Sequence, residues 1–313
     1  MNVTMPGHAH RPHRTRFVLH ENPIAGIARH MLTSNVLREL QRRGCLVTRL
    51  KMGVNLPDVD WAQLACENDA VISAGGDGTL RQLASHMPAG LLPVGIIPRG
   101  TGNVLASEIG LVKSLSRVAD TLMHGRTVEL TGARANGTPF YLMAGIGFDA
   151  EAVRRLDVET KRKWGKPAYA RPILSALAEA PPRLHVSADG GREAEAGWVL
   201  VANARYYGGY FRLSARAGFE KPDLVVHLVP RGNIGRRLVH ATALGFSALQ
   251  RMPGIQVWSA SHLKITSEAP VAAQIDGDEF GTTPIEIKWG EPKLALIVPE
   301  AYAVRTASAL ATG

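Results

Sequence analysis

The chain has 313 residues, of which 45% are apolar, and a formal net charge of +9. At about 100–200 residues per domain this length predicts two domains with substantial cores, and no apolar run approaches the ~20 residues of a membrane-spanning helix. Two cysteines, Cys45 and Cys66, show no C-x-x-C pairing, which argues against a disulfide framework or zinc cluster and fits a reducing compartment. The positive charge suits an anionic partner but does not choose among nucleic acid, phosphate ligands and an acidic membrane surface.

Residues 1–15 are basic and rich in His and Pro. They lack the apolar centre of a secretory signal and read as a flexible arm rather than a histidine metal site. Then strand and helix signals alternate. RFVLHENP reads as a strand ending in a loop, and residues 29–43 show helical spacing through Met31, Leu32, Val36, Leu37 and Leu40. CLVTRL is a second strand and DAVISA a third, followed by a glycine turn and a helix from about Thr79. LPVGIIP is a fourth strand and TGNVLASEI a short helix start. This alternation predicts an α/β domain with a parallel sheet covered on both faces, over residues 16–128.

From residue 129 to 300 the texture is β-rich, and an antiparallel β-sandwich-like domain with added helices is expected. TVELTGARANGTPFYLMAGIGF reads as two strands joined at Asn136-Gly137, a strong hairpin signal. Five further strand segments follow, among them VAAQIDGDEF and PIEIKW, where Ile285, Ile287 and Trp289 alternate with Glu286 and Lys288. Helical segments interrupt near 166–179 and 234–250. Residues 301–313 form a tail that could return to the first domain.

The segment NDAVISAGGDGTLRQLA carries the chemistry. Glycines between a strand and a helix permit positive φ and close approach of a ligand to the backbone. The helix start adds unpaired amides and a positive dipole end, which suit phosphate. A carboxylate there, Asp77, repels phosphate unless a divalent cation or a water on that cation stands between them. The pattern therefore points to ATP with Mg²⁺, with Asp77 at the metal. The plainer alternative makes Asp77 a turn residue or cap. No Walker A sequence, complete G-x-G-x-x-G or H-E-x-x-H occurs.

GGDGT at 75–79 resembles the signature of diacylglycerol kinase-type lipid kinases, which NAD kinases share. PRGTGNVLASEIG at 98–110 is similar to the lipid-kinase P-x-G-T-x-N block, with Val104 where many members have Asp. Asn22-Pro23 with Gly26, AGIGFDAEAV at 144–153, YYGGYFRLSARAG at 206–218 and IDGDEF at 275–280 resemble further family blocks. The resemblance runs from about residue 16 to 299. It implies two domains with the site in the cleft between them. It implies an ATP site lined by Asn22, Gly75, Gly76, Gly78, Thr79, Thr101 and Asn103, with Asp77 in the Mg²⁺–water network. Asp276 matches the family acid that takes the hydroxyl proton, and Asp278 matches a neighbouring carboxylate that is normally Glu. A DGD segment taken alone fits a solvated hairpin turn equally well. Lys221-Pro222 stand where many members have Asp-Gly at a structural Mg²⁺, so that metal is expected to be absent.

The expected acceptor is a membrane lipid such as diacylglycerol, reached from the cytoplasm by a protein peripheral to the inner face of the membrane. One candidate lipid surface is KRKWGKPAYARP, with Lys161, Arg162, Lys163, Trp164, Lys166, Tyr169 and Arg171. Another is IGRRLVHATALGFSALQRM, whose Leu238, Leu244, Phe246 and Leu249 more often mark a core-packed helix. NAD kinase, and a non-catalytic nucleotide- or lipid-binding regulator, are the rival readings. No nucleic-acid module is present in the sequence, and a homodimer is left open.

Overall fold

The computed structural model describes residues 13–22, 30–50, 56–112, 114–156, 160, 166–209 and 211–311. The first half comprises β1 (Arg16–Glu21), α1 (His30–Arg42), β2 (Leu46–Arg49), α2 (Trp61–Glu67), β3 (Ala70–Gly75), α3 (Asp77–His86), β4 (Val94–Pro98), α4 (Val104–Glu108) and α5 (Leu115–His124). The four strands are parallel in the order β2-β1-β3-β4. Every residue of β3 and β4 is buried, as expected for inner parallel strands with helices on both faces.

The second half comprises β5 (Arg126–Ala135), β6 (Thr138–Phe140), β7 (Met143–Gly147), α6 (Phe148–Arg154), α7 (Ala170–Ala178), β8 (Leu184–Ala188), β9 (Arg192–Ala196), β10 (Trp198–Ala202), β11 (Tyr206–Tyr207), β12 (Phe211–Arg212), β13 (Leu224–Val229), α8 (Ile234–Gly245), β14 (Gln256–Ala260), β15 (His262–Ser267), β16 (Ala272–Ile275), β17 (Asp278–Thr282), β18 (Ile285–Val298) and α9 (Glu300–Ala311). One sheet, in the order β14-β13-β10-β7-β16-β17, is antiparallel. Its inner face, including Ile146, Val199, Val201 and Val226, packs against Val186, Leu263, Ile265 and Ile287 to make a sandwich core.

The other sheet crosses both halves. β18 runs for 14 residues beside β5, with an irregular register between Trp289 and Lys293. Its first part, through Ile285 and Ile287, belongs to the sandwich core. Its last part enters the first core through Leu294, Leu296, Ile297 and Val298, with Leu296 opposite Val94 of β4. One strand thus couples the two halves and holds the cleft between them. The fold is an α/β parallel-sheet half joined to an antiparallel β-sandwich-like half.

Several details depart from the sequence reading. α3 begins at Asp77, two residues before Thr79. Met31 is 73% exposed, although its spacing matches the apolar face of α1. The segment after residue 126 makes three strands, because the chain breaks again after Phe140. Arg14 is buried rather than part of a loose arm, and its guanidinium donates to Gly125 O at 2.9 Å and to Thr127 Oγ1 at 2.7 Å. α8 turns Leu238 and Phe246 outward and buries Leu244, so its apolar residues divide between core and solvent.

Candidate active site

The C-terminal ends of β1, β3 and β4 lie side by side, with Glu21 opposite Ala74 and Gly75 opposite Pro98. Ligands of open α/β sheets bind beyond such ends. Asn22 follows β1, and its Nδ2 donates to Thr79 Oγ1 at 3.5 Å. Pro23 and Gly26 of the same block lie outside the described residues. The Thr79 side chain packs directly over Gly75, where an added Cβ would lie 2.2 Å from its Oγ1. Across the gap, a Cβ on Gly100 would lie 2.7 Å from the Cα of Gly76. Backbone therefore meets backbone between the two glycine turns, which explains the demand for glycine at both.

Asp77 accounts for the carboxylate inside the first turn. Its Oδ2 accepts from Val104 N at 2.9 Å and its Oδ1 from Leu105 N at 3.2 Å. It therefore caps the start of α4 and ties the GGDGT turn to the PRGTGN loop. Burial raises its pKa, the two amides lower it, and the neighbouring charge of Asp278 raises it further. Asn103 sits in the left-handed region at φ 47, and its Nδ2 donates to Gly100 O at 2.6 Å. Its Oδ1 is buried with no hydrogen-bond partner. Thr101 is half-buried in the same loop.

The second half contributes two turns. Gly209, at φ +93, lies against the PRGTGN loop, where a Cβ would sit 2.1 Å from Gly102 O. Asp276 and Gly277 form the two-residue loop of the β16–β17 hairpin, both at positive φ as a type I′ turn requires. Asp276 is nonetheless no solvated turn residue. Its Oδ1 accepts from Leu142 N at 2.8 Å and Met143 N at 3.1 Å, and its Oδ2 accepts from Tyr141 N at 3.0 Å. Burial pushes its pKa up to about 6, against the pull of those amides and of Arg81. Oδ2, with one amide, keeps an acceptor site.

Asp278 reaches the first glycine turn, and a Cβ on Gly78 would lie 2.8 Å from its Oδ2. Arg81 on α3 holds this geometry by donating to Asp278 Oδ2 at 2.8 Å and to Ile275 O at 3.2 Å. Asn22, Gly75, Gly76, Gly78, Thr79, Thr101, Asn103, Asp77, Asp276 and Asp278 thus gather at one cleft. Arg81 was not singled out from sequence, and its place one turn after Asp77 was the available signal.

Other contributors were also missed. Glu21 pairs with the buried Arg99 at 2.6 Å beneath the loop. Arg205 bridges α4 to the second half, donating its backbone N to Glu108 at 2.7 Å and its guanidinium to Glu108 and Glu220. Arg205 thus places a guanidinium on Glu220, the residue before Lys221-Pro222. At the far end of β7, buried Asp149 accepts from Trp198 Nε1 at 2.9 Å and Gln274 Nε2 at 3.0 Å, and burial pushes its pKa up to about 6. A cavity of ≈ 340 Å³ opens there, lined by Phe148, Pro182, Trp198, Val229, Arg237 and His240 among others. Of the candidate lipid surface at 161–171, Tyr169 is half-buried and Arg171 is exposed, while 161–165 lie outside the described residues. Among the described residues no helix is long and apolar enough to cross a membrane.

The class that this fold and cleft define agrees with comparison to known proteins. The diacylglycerol kinase catalytic domain family matches residues 16–135, and the YegS C-terminal NAD kinase beta sandwich-like domain family matches residues 142–305. The chain belongs to this diacylglycerol kinase-type lipid kinase family. It is 24% identical over 229 residues to the diacylglycerol kinase of Bacillus subtilis, covering 70% of this chain and 74% of that one. It is 30% identical over 240 residues to an uncharacterized Synechocystis protein, covering 73% of this chain but 54% of that longer relative. A crystal structure of a diacylglycerol kinase from Bacillus anthracis has the same fold, with TM-score 0.67 at 23% identity, over 92% of this chain and 98% of that one.

Proposed function

We propose that the protein transfers the γ-phosphate of ATP, with Mg²⁺, to a hydroxyl of a lipid such as diacylglycerol. The observation that carries this reading is Asp276. It is a carboxylate held by three backbone amides, with its pKa raised to about 6, in the turn whose Asp278 reaches Gly78 of the first glycine turn.

The residues fit a nucleotide and its cation. Gly76 and Gly100 let the two glycine turns approach backbone to backbone, which brings both loops to one place. At the start of α3 the amides of Thr79 and Leu80 are taken by Gly76 O, and those ahead of them, which a helix start leaves without an intrahelical partner, suit phosphate oxygens. Asn103 Oδ1 is buried without a partner. Asp77 and Asp278 are the carboxylates that would hold Mg²⁺, largely through water, as that ion prefers. The ion would neutralise phosphate charge.

The chain's own residues then do the following. Asp276 Oδ2 accepts the proton of the lipid hydroxyl, and a base near its pKa of about 6 is mostly ionised at neutral pH. The hydroxyl oxygen bonds to the γ-phosphorus as the bond to the β-phosphate oxygen breaks, releasing ADP. Arg81 keeps the 276–278 turn against the glycine loop. β7 leads from Met143, whose carbonyl accepts from Asp276 N, to Gly147 at the cavity lined by Phe148 and Trp198, about 14 Å along the strand. Its apolar wall, with Phe148, Pro182, Trp198 and Val229, suits the apolar part of the acceptor, although Glu151, Arg154 and Arg237 also line it.

The test is incubation with γ-labelled ATP, Mg²⁺ and a panel of lipids together with NAD. Label in a lipid is the expected result. Label in NAD would support the NAD kinase reading instead, and ATP binding with no acceptor labelled would support a non-catalytic regulator.

A further inference from the structure

We infer that the outer face of α8, with the β11–β12 hairpin, docks on the surface of an anionic phospholipid bilayer. This rests on the lipid-kinase reading, because it supplies the route by which the cleft meets its acceptor.

α8 is amphipathic in the opposite sense to a core helix. Ile234, Leu238 and Val239 are 57%, 50% and 55% exposed and Phe246, which caps the helix end, is 80% exposed, while His240, Ala243 and Leu244 face inward. At about 100° per residue, the three helical positions span roughly 140° of one helix face. Of the 11 exposed large hydrophobic residues among those described, four lie here, one on the hairpin (Phe211) and one on the adjoining helix α7 (Leu174). The hairpin is fastened beside Phe246, since Arg212 N donates to Ser247 Oγ at 2.7 Å. Contiguous exposed apolar surface of this kind marks an interaction site.

The charge around the face selects the partner. No Asp or Glu occurs between Asp223 and Glu268, whereas Arg231, Arg236, Arg237, Arg251 and Lys264 do. Arg212, Arg231, Arg236 and Arg251 are exposed, and none makes an ion pair among the described residues. An apolar helix face with unpaired basic neighbours is built to lie in a headgroup layer. The position is also apt. Arg237 and His240 of α8 line the cavity, and Gly209 in the turn of the hairpin lies against Gly102 of the nucleotide loop. One docked face would thus lie beside both the acceptor cavity and the phosphate loop.

The experiment is co-sedimentation of the full chain with vesicles of phosphatidylcholine alone and of phosphatidylcholine mixed with phosphatidylglycerol. The wild type should bind the mixed vesicles and barely bind the neutral ones. Leu238→Ser with Phe246→Ser should weaken binding about tenfold or more; Phe246 is 80% exposed and Leu238 50%, so circular dichroism and melting should show the variant folded. Arg236→Gln and Arg251→Gln should each weaken it about fivefold, and added salt should reduce the difference. The serine variant should lose phosphorylation of vesicle lipid yet keep it on a water-soluble short-chain diacylglycerol. Undiminished vesicle binding by the folded serine variant would overturn the proposal. So would a wild-type dimer that this variant converts to a monomer, because a second copy would then cover the face. Selective vesicle binding with no lipid phosphorylated would sink the kinase reading and leave the docking face standing.

Discussion

Gly100→Ala perturbs the site by geometry alone. The new Cβ would lie 2.7 Å from Gly76 Cα and 3.0 Å from Asn103 Oδ1. Carbon atoms rest about 3.5–4.0 Å apart, so the two glycine turns must separate by about 1 Å. The obstacle is backbone, and no rotamer change relieves it. Overpacking of this kind costs about 1–3 kcal/mol, a fall in melting temperature of roughly 3–10 °C. A displacement of about 1 Å at reacting groups lowers kcat/KM about a hundredfold. Gly235→Ala serves as the control. Its Cβ would meet nothing closer than Asn233 Oδ1 at 3.6 Å, and it lies inside α8. That variant should gain up to about 1 kcal/mol. Differential scanning calorimetry and the labelled-ATP assay read both effects. If Gly100→Ala melts and turns over like wild type, the apposed backbones are not what shapes the phosphate site.

Three further outcomes follow from the same contacts. Asp276→Asn should lower lipid phosphorylation by about 10²–10⁴ while nucleotide binding persists, and the wild-type rate should fall as pH drops through about 6, because the carboxyl whose pKa is raised to that value must be ionised to act as base; a folded variant at full turnover would remove the assignment. Asp77→Asn leaves one side-chain oxygen for the amides of Val104 and Leu105, so about 1–3 kcal/mol of stability should be lost along with activity, as read by urea unfolding and the kinase assay. His227 is fully buried, and burial lowers its pKa from 6.5 to about 4. Its neutral form therefore stabilises the fold fully above about pH 6.5, and this contribution is lost as pH falls towards 4. Relative to His227→Leu, the wild type should lose about 3 kcal/mol over that window in urea titrations.

The parallel strands, the hairpin at Asn136-Gly137 and the glycine turn were legible in the sequence because each is encoded over a few neighbouring residues. An apolar run, a pair of residues at φ 43 and 84, and a strand-to-helix glycine cluster need no distant partner to be recognised. The family motifs likewise named ten residues that the structure brings to one cleft, though not Arg81, which pairs with Asp278 there. They did not say what each residue touches. Asp77 meets Val104 and Leu105 27 and 28 positions away, and Arg81 meets Asp278 across 197. The raised pKa of Asp276 comes from its burial at the cleft, not from its DGD neighbours. Sequence periodicity identified a helical segment near 234–250, of which 234–245 is α8, but its direction of facing was decided by what packs beneath it. Hydrophobic spacing reports that a helix has an apolar side, whereas the sheet and helices around it determine whether that side is covered or left to meet something else.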